Sequence, residues 1–171
     1  VEAENFSVMN SRTSWRAITV LFIWIAIFSV VYIFFDSQQK PKIATGKDGG
    51  MFSKIVIPRS LDGHYYVRGS VNGYPIDFMV DTGASVVSIS RSLAKKANLP
   101  KGVSANFSTA GGVVMGEVVS DQTVEAGGII VNGISISVGI QGNVSLLGQN
   151  FLRRVDVLQS NDTMTLQLRM Q

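Results

Sequence analysis

The sequence predicts an all-β fold, a closed or nearly closed barrel with one short helix, preceded by one transmembrane helix. Three observations carry that expectation. Residues 17–35 form an apolar stretch with no charged side chain. Beyond residue 50, short β-branched and aromatic runs alternate with Gly-rich and Asn-Gly turns. Only residues 90–98 carry a helical period there, with Ser90 as N-cap and Leu93, Ala94 and Ala97 on one face.

At about 1.5 Å per residue, residues 17–35 span roughly 28 Å as a helix, close to the hydrocarbon thickness of a bilayer. Trp15 and Tyr32 stand near its two ends, where amphipathic aromatics prefer to lie. A signal peptide is the rival reading, but its apolar region is usually shorter and is followed by a small-residue cleavage site. Here Asp36-Ser37-Gln38-Gln39-Lys40-Pro41-Lys42 follows instead. Arg12 and Arg16 precede the span while Lys40, Lys42 and Lys47 follow it, so flanking charge does not fix the orientation. The expected organisation is an N-terminal tail (1–16), a membrane anchor (17–35), a polar Gly/Pro-containing flexible linker (36–50) and one domain over 51–171.

Within that domain, strands are expected over residues 52–57, 64–71 and 74–80, the last two joined by Asn72-Gly73. Further strands are expected over 86–89, 113–119, 123–125 and 129–131, and over 134–140 after a second Asn-Gly turn at Asn132-Gly133. Residues 144–147, 155–158 and 164–168 complete the set. Met164, Leu166, Leu168 and Met170 alternate with Thr165, Gln167 and Arg169. Such a strand either stands as an unpaired edge that recruits a partner or closes the barrel of its own chain.

Composition narrows the chemistry. The chain of 171 residues has no cysteine and a single histidine, His64. Disulfides, thiolate metal sites, Ser-His and Cys-His triads and multi-histidine zinc sites are all excluded. A lone histidine after Asp62-Gly63 reads as structural or solvent-exposed. Charges beyond residue 43 are nearly balanced and scattered, with no basic stripe for nucleic acid. The chain opens on Val1 instead of Met, which fits an alternative start codon or a trimmed N-terminus.

The segment that carries chemistry is Phe78-Met79-Val80-Asp81-Thr82-Gly83-Ala84-Ser85. A hydrophobic strand runs into a carboxylate on a glycine-permitted turn, which is how an aspartic protease presents its catalytic acid. Asp-Gly pairs also occur in ordinary turns, as at Asp62-Gly63, so the motif alone does not decide. Later comes Leu146-Leu147-Gly148-Gln149-Asn150-Phe151-Leu152, whose glycine would let two backbones approach closely. Between them, Phe107-Ser108-Thr109-Ala110-Gly111-Gly112-Val113 reads as a mobile glycine hairpin or as an ordinary turn. No second Asp-Thr-Gly or Asp-Ser-Gly exists in the chain. Since the chemistry needs two carboxylates, the chain either pairs with a copy of itself or is not a protease.

Motif, hairpin and the 146–152 segment, in this order behind one apolar helix, resemble the membrane-anchored retropepsin-like aspartic proteases of bacteria. The resemblance implies a single-lobe acid-protease barrel active as a homodimer on peptide or protein substrates, with no cofactor and no metal. It also implies an extracytoplasmic, periplasmic domain. By position, Asp81 matches the catalytic aspartate and Thr82 the threonine that bridges the two active-site loops across the dimer. Gly83 matches the residue whose carbonyl binds substrate backbone. Ala84 and Ser85 lie beside the substrate, and Ala110, Gly111 and Gly112 form the flap tip. Gln149 stands where many viral relatives have arginine, which predicts a weaker dimer contact. Two carboxylates about 3 Å apart cannot both ionise, so a dimer would hold one shared proton. The rival is a catalytically silent dimeric peptide-binding module of the same fold. A purely structural anchor would leave Asp81-Thr82-Gly83 unexplained.

Overall fold

The computed structural model describes residues 14–38, 40–46, 54–109, 111–139 and 144–169. By internal contacts the chain divides into two units, Val1–Lys40 and Pro41–Gln171. The first contains helix α1 (Ser14–Gln38), whose described side chains are exposed along its length. It has neither acidic residues in its first turn nor basic residues in its last. This helix is long enough and apolar enough to cross a membrane or to act as a signal sequence.

The second unit is a β barrel. Its eight-stranded sheet has the order β1-β3-β4-β9-β5-β8-β7-β6, and an additional β3–β7 pairing closes the sheet on itself. The strands are β1 (Ile43–Ala44), β3 (Tyr66–Val71), β4 (Tyr74–Val80), β5 (Val87–Ile89), β6 (Val103–Thr109), β7 (Gly112–Ala126), β8 (Ile129–Val138) and β9 (Ser145–Leu147). A second sheet, ordered β10-β11-β2, joins β2 (Lys54–Pro58), β10 (Val155–Ser160) and β11 (Thr163–Leu168). Helix α2 (Arg91–Lys96) starts at Ser90, whose side chain accepts a hydrogen bond from the Leu93 N–H. Apolar side chains fill the interior, Phe78, Ile89, Ile136, Leu147, Phe151 and Leu166 all fully buried. Each such side chain contributes about 1.5–3 kcal/mol through its removal from water.

Several expectations need correction. Among the described residues the barrel has two short helices, because residues 149–152 also form one helical turn, α3 (Gln149–Leu152). The segments 113–119 and 123–125 are one strand, β7, and 129–131 and 134–138 are one strand, β8. Asn132-Gly133 is therefore no turn. Register jumps between Val119 and Gln122, then between Gln122 and Val124, place compensating bulges on the two strands. Asp121 and Gly133 take the left-handed backbone there, with φ of 60° and 72°. The chain reverses instead at Gly127-Gly128, with φ of 60° and 91°, the two-residue turn chemistry that Gly-Gly permits. Ile140 lies outside the described residues.

The Asn72-Gly73 hairpin forms as expected, with φ of 49° and 82°. Part of the stretch read as a linker is laid on the barrel, since Ile43 and Ala44 pair in parallel with Tyr66 and Val67. The Lys42 N–H also donates to Ser60 Oγ at 2.9 Å. Strand β11 is not an edge, because it pairs with β10 on one side and β2 on the other. Its buried Met164 and Leu166 face inward opposite Ile57 and Ile55.

The turn before β3 is held by a carboxylate. Asp62 accepts from the Tyr66 hydroxyl at 2.6 Å and from the His64 backbone N–H at 3.0 Å. Those two bonds, the hydroxyl's first, hold the Asp62 carboxyl below its ordinary value. Burial, reinforced by the bond to Asp62, pushes the Tyr66 phenol up to about 12. The Asp62 contribution is thus present above the unfolded carboxylate range and disappears as pH falls through the folded value. That of Tyr66 is complete below about 10 and fades as pH rises toward the folded value. Because Asp62 is solvent-exposed, Tyr66→Phe is expected to cost under about 1 kcal/mol at neutral pH. Urea midpoints at pH 7 and pH 3 test this, the gap between variant and wild type narrowing in acid. An equal gap at both pH values would disprove the assignment.

Candidate active site

Strand β4 ends at Val80 and delivers Asp81 to the mouth of the barrel, with Asp81 half-buried and Thr82, Gly83 and Ser85 exposed. Its parallel neighbour is β9, with Phe78, Met79 and Val80 in register with Ser145, Leu146 and Leu147. The two strands stop together, and the Asp81 N–H donates to the Leu147 carbonyl at 3.2 Å. Asp81 then opens a tight turn. The Ala84 N–H reaches the Asp81 carbonyl at 3.3 Å, and the Gly83 N–H donates to Asp81 Oδ1 at 2.8 Å. One carboxylate oxygen is thus fixed by its own loop.

The segment after β9 grips that loop. The Gln149 N–H donates to the Ala84 carbonyl at 2.8 Å and the Asn150 N–H to the Ser85 carbonyl at 3.2 Å. Asn150 Oδ1 accepts from the Val87 N–H at 2.9 Å, while its Nδ2 donates to the Ser135 carbonyl at 2.7 Å. A single amide therefore ties the start of β5 to β8. Gln149 Nε2 donates to the Thr82 carbonyl at 2.9 Å. Gly148 makes the approach possible, since a Cβ there would lie 2.3 Å from the Val86 carbonyl oxygen.

The structure brings Asp81, Thr82, Gly83, Ala84 and Ser85 together with residues 146–150 on one end of the barrel. Gly111 and Gly112 lie at the tip of the β6–β7 hairpin, with Thr109 paired to Gly112. Ala110 lies outside the described residues. Gly116 at the hairpin base is buried, and a Cβ there would meet the Val138 carbonyl oxygen at 2.5 Å and Phe107 at 3.1 Å. A depression of about 410 Å³ borders Thr82 and Gln149 and runs toward Asp156 and Arg169. Among the described residues, no group of three or more His, Asp or Glu side chains could hold a metal ion. The clamp roles of the Gln149 and Asn150 side chains went unread in the sequence, although both residues follow the glycine that marks the segment.

A closed single-lobe barrel with an Asp-Thr-Gly turn locked against a Leu-Leu-Gly segment defines the aspartic-protease class. Comparison with known proteins agrees. The family described as "gag-polyprotein putative aspartyl protease" matches residues 67–154. The crystal structure of a retropepsin-like aspartic protease from Rickettsia conorii superposes with a TM-score of 0.60 at 30% identity, covering 67% of this chain and 90% of that one. An uncharacterised protein from the cobV 5′ region of Sinorhizobium sp is 33% identical over 112 residues, 62% of this chain. Another, from Rickettsia prowazekii (strain Madrid E), is 49% identical over 43 residues, 25% of this chain. The chain spans about half the length of the first of these curated relatives, 48%, and 19% of the second. It belongs to the bacterial retropepsin-like aspartic protease family.

Proposed function

We propose that the protein is a membrane-anchored aspartic endopeptidase, active as a homodimer with one Asp81 from each subunit. The observation that carries this reading is the Asp81 turn itself. Its carboxylate stands half-buried at the end of β4, with one oxygen held by Gly83 and the loop braced by residues 148–150. Helix α1 would hold residues 17–35 in the bilayer, and confinement to the membrane plane would raise the local concentration of subunits.

On a two-fold axis the paired carboxylates share one proton. The ionised Asp81 takes a proton from a bound water, and the resulting nucleophile attacks the scissile carbonyl. The protonated partner donates to the carbonyl oxygen. As the C–N bond breaks, the newly protonated Asp81 donates to the leaving nitrogen while its ionised partner takes the proton of a diol hydroxyl, so the pair again holds one proton. Thr82, with its exposed side chain, would bridge to the second loop. Gly83, Ala84 and Ser85 would flank an extended peptide, and Ala110, Gly111 and Gly112 would close over it by strand-type hydrogen bonds.

The test is cleavage of a mixed peptide library by the full chain in detergent, from acidic to neutral pH, with a pepstatin-type inhibitor as control. A rate rising with the square of enzyme concentration at high dilution, and blocked by the inhibitor, is the expected result. No cleavage from a dimer confirmed by sedimentation would reject the endopeptidase and favour the silent peptide-binding module.

A further inference from the structure

Thr82 C=O and Gly83 N–H are the two ends of one peptide group. The carbonyl end accepts from Gln149 Nε2 at 2.9 Å, and the N–H end donates to Asp81 Oδ1 at 2.8 Å. That peptide is the central one of the 81–84 turn, closed by the Ala84 N–H to Asp81 carbonyl bond. Rotation of a central peptide interconverts the common turn types, and glycine after it removes most of the steric penalty for the rotated form. In the rotated form the N–H would face away from the carboxylate. The Thr82 carbonyl can only accept, so the Gln149 amide must present its NH₂ group, and it opposes that rotation directly. A hydrogen bond at one end of a peptide also polarises the N–H at the other.

We infer that Gln149 is a positioning residue: through the 82–83 peptide it aims the Gly83 N–H at Asp81 and holds one carboxylate oxygen in place. This role rests on the aspartic-protease reading of Asp81. It gives Gln149 work inside its own subunit, where the sequence resemblance had placed only a weakened contact across the dimer.

Two variants separate the donor from the shape of the side chain. Gln149→Glu keeps the shape but carries no N–H donor when ionised, and Gln149→Met keeps the length without any polar atom. Neither touches the backbone bond from residue 149 to Ala84, and an acidic residue in the first turn is compatible with the α3 N-terminus. In ¹⁵N-labelled full chain in detergent micelles, both variants are expected to speed Gly83 amide exchange about tenfold, the equivalent of one lost hydrogen bond. Both should lower kcat by a similar factor, with KM within about twofold and sedimentation unchanged. Unchanged Gly83 exchange in both variants overturns the role, as does a loss of kcat that merely tracks loss of folded or dimeric protein. A wild-type chain that cleaves nothing, while Gly83 exchange still responds to both variants, sinks the protease reading and leaves the positioning role standing.

Discussion

Asp81→Asn is expected to lower peptide cleavage by a factor of about 10³ or more, with the thermal unfolding transition essentially unmoved. Asparagine has the shape of aspartate, and its Oδ1 still accepts from Gly83, so the turn seen at 2.8 Å survives. What disappears is the ability to take a proton from water and return it. The measurement is cleavage of a fluorogenic peptide alongside a melting curve of the same sample. Mixing sharpens the test. In a fully exchanged equimolar mixture, about one quarter of the dimers carry two aspartates. Activity per total protein should then fall to about one quarter of the wild-type value, whereas chains acting singly would retain about one half. Persistent cleavage by the pure variant would remove Asp81 from the mechanism.

Gly148→Ala is expected to have the largest effect on structure. An added Cβ would stand 2.3 Å from the Val86 carbonyl oxygen and 2.9 Å from that of Ala84, both backbone atoms. Neither can swing aside as a side chain would, so the segment and the loop must separate. Separation breaks the bonds from the 149 and 150 amides to Ala84 and Ser85. Overpacking of this kind costs about 3 kcal/mol at the upper end of its usual range. For a barrel of this size that corresponds to a melting shift of roughly 10 °C. Cleavage should be lost as well, because the displaced loop carries Asp81. A melting temperature within about 2 °C of wild type would show that the close approach is not required.

How far the sequence revealed this arrangement depended on the physical range of each signal. The Asp81 turn and the Asn72-Gly73 hairpin were legible because strand, turn residue and glycine are consecutive. The Gly127-Gly128 reversal falls in the gap between the strands expected over 123–125 and 129–131, whereas Asn132-Gly133, read as a second turn, is a bulge in the structure. Bulges depend on what lies across the ladder, here Thr123 opposite Asn132-Gly133, and one strand's pattern does not contain that. The alternation of residues 164–168 revealed a strand with one apolar face. Whether β2 or a partner lay beside it was a question of pairing. Gln149 was noticed for what it is not, an arginine, and its bond to Thr82 emerged only from the fold.

The pairing of β2 with β11 also has a consequence in time. Lys54 to Pro58 stand near the start of the barrel and Thr163 to Leu168 near its end, yet they form one ladder. Likewise, β4 waits for β9 before the Asp81 loop acquires its brace. Contacts so distant along the chain make folding slow and prevent early segments from settling alone. During synthesis the nascent barrel would carry its carboxylate on an unbraced loop until residues 146–150 emerged. The Asp81 loop would therefore gain its brace only after the apolar segment at residues 17–35 had already been made.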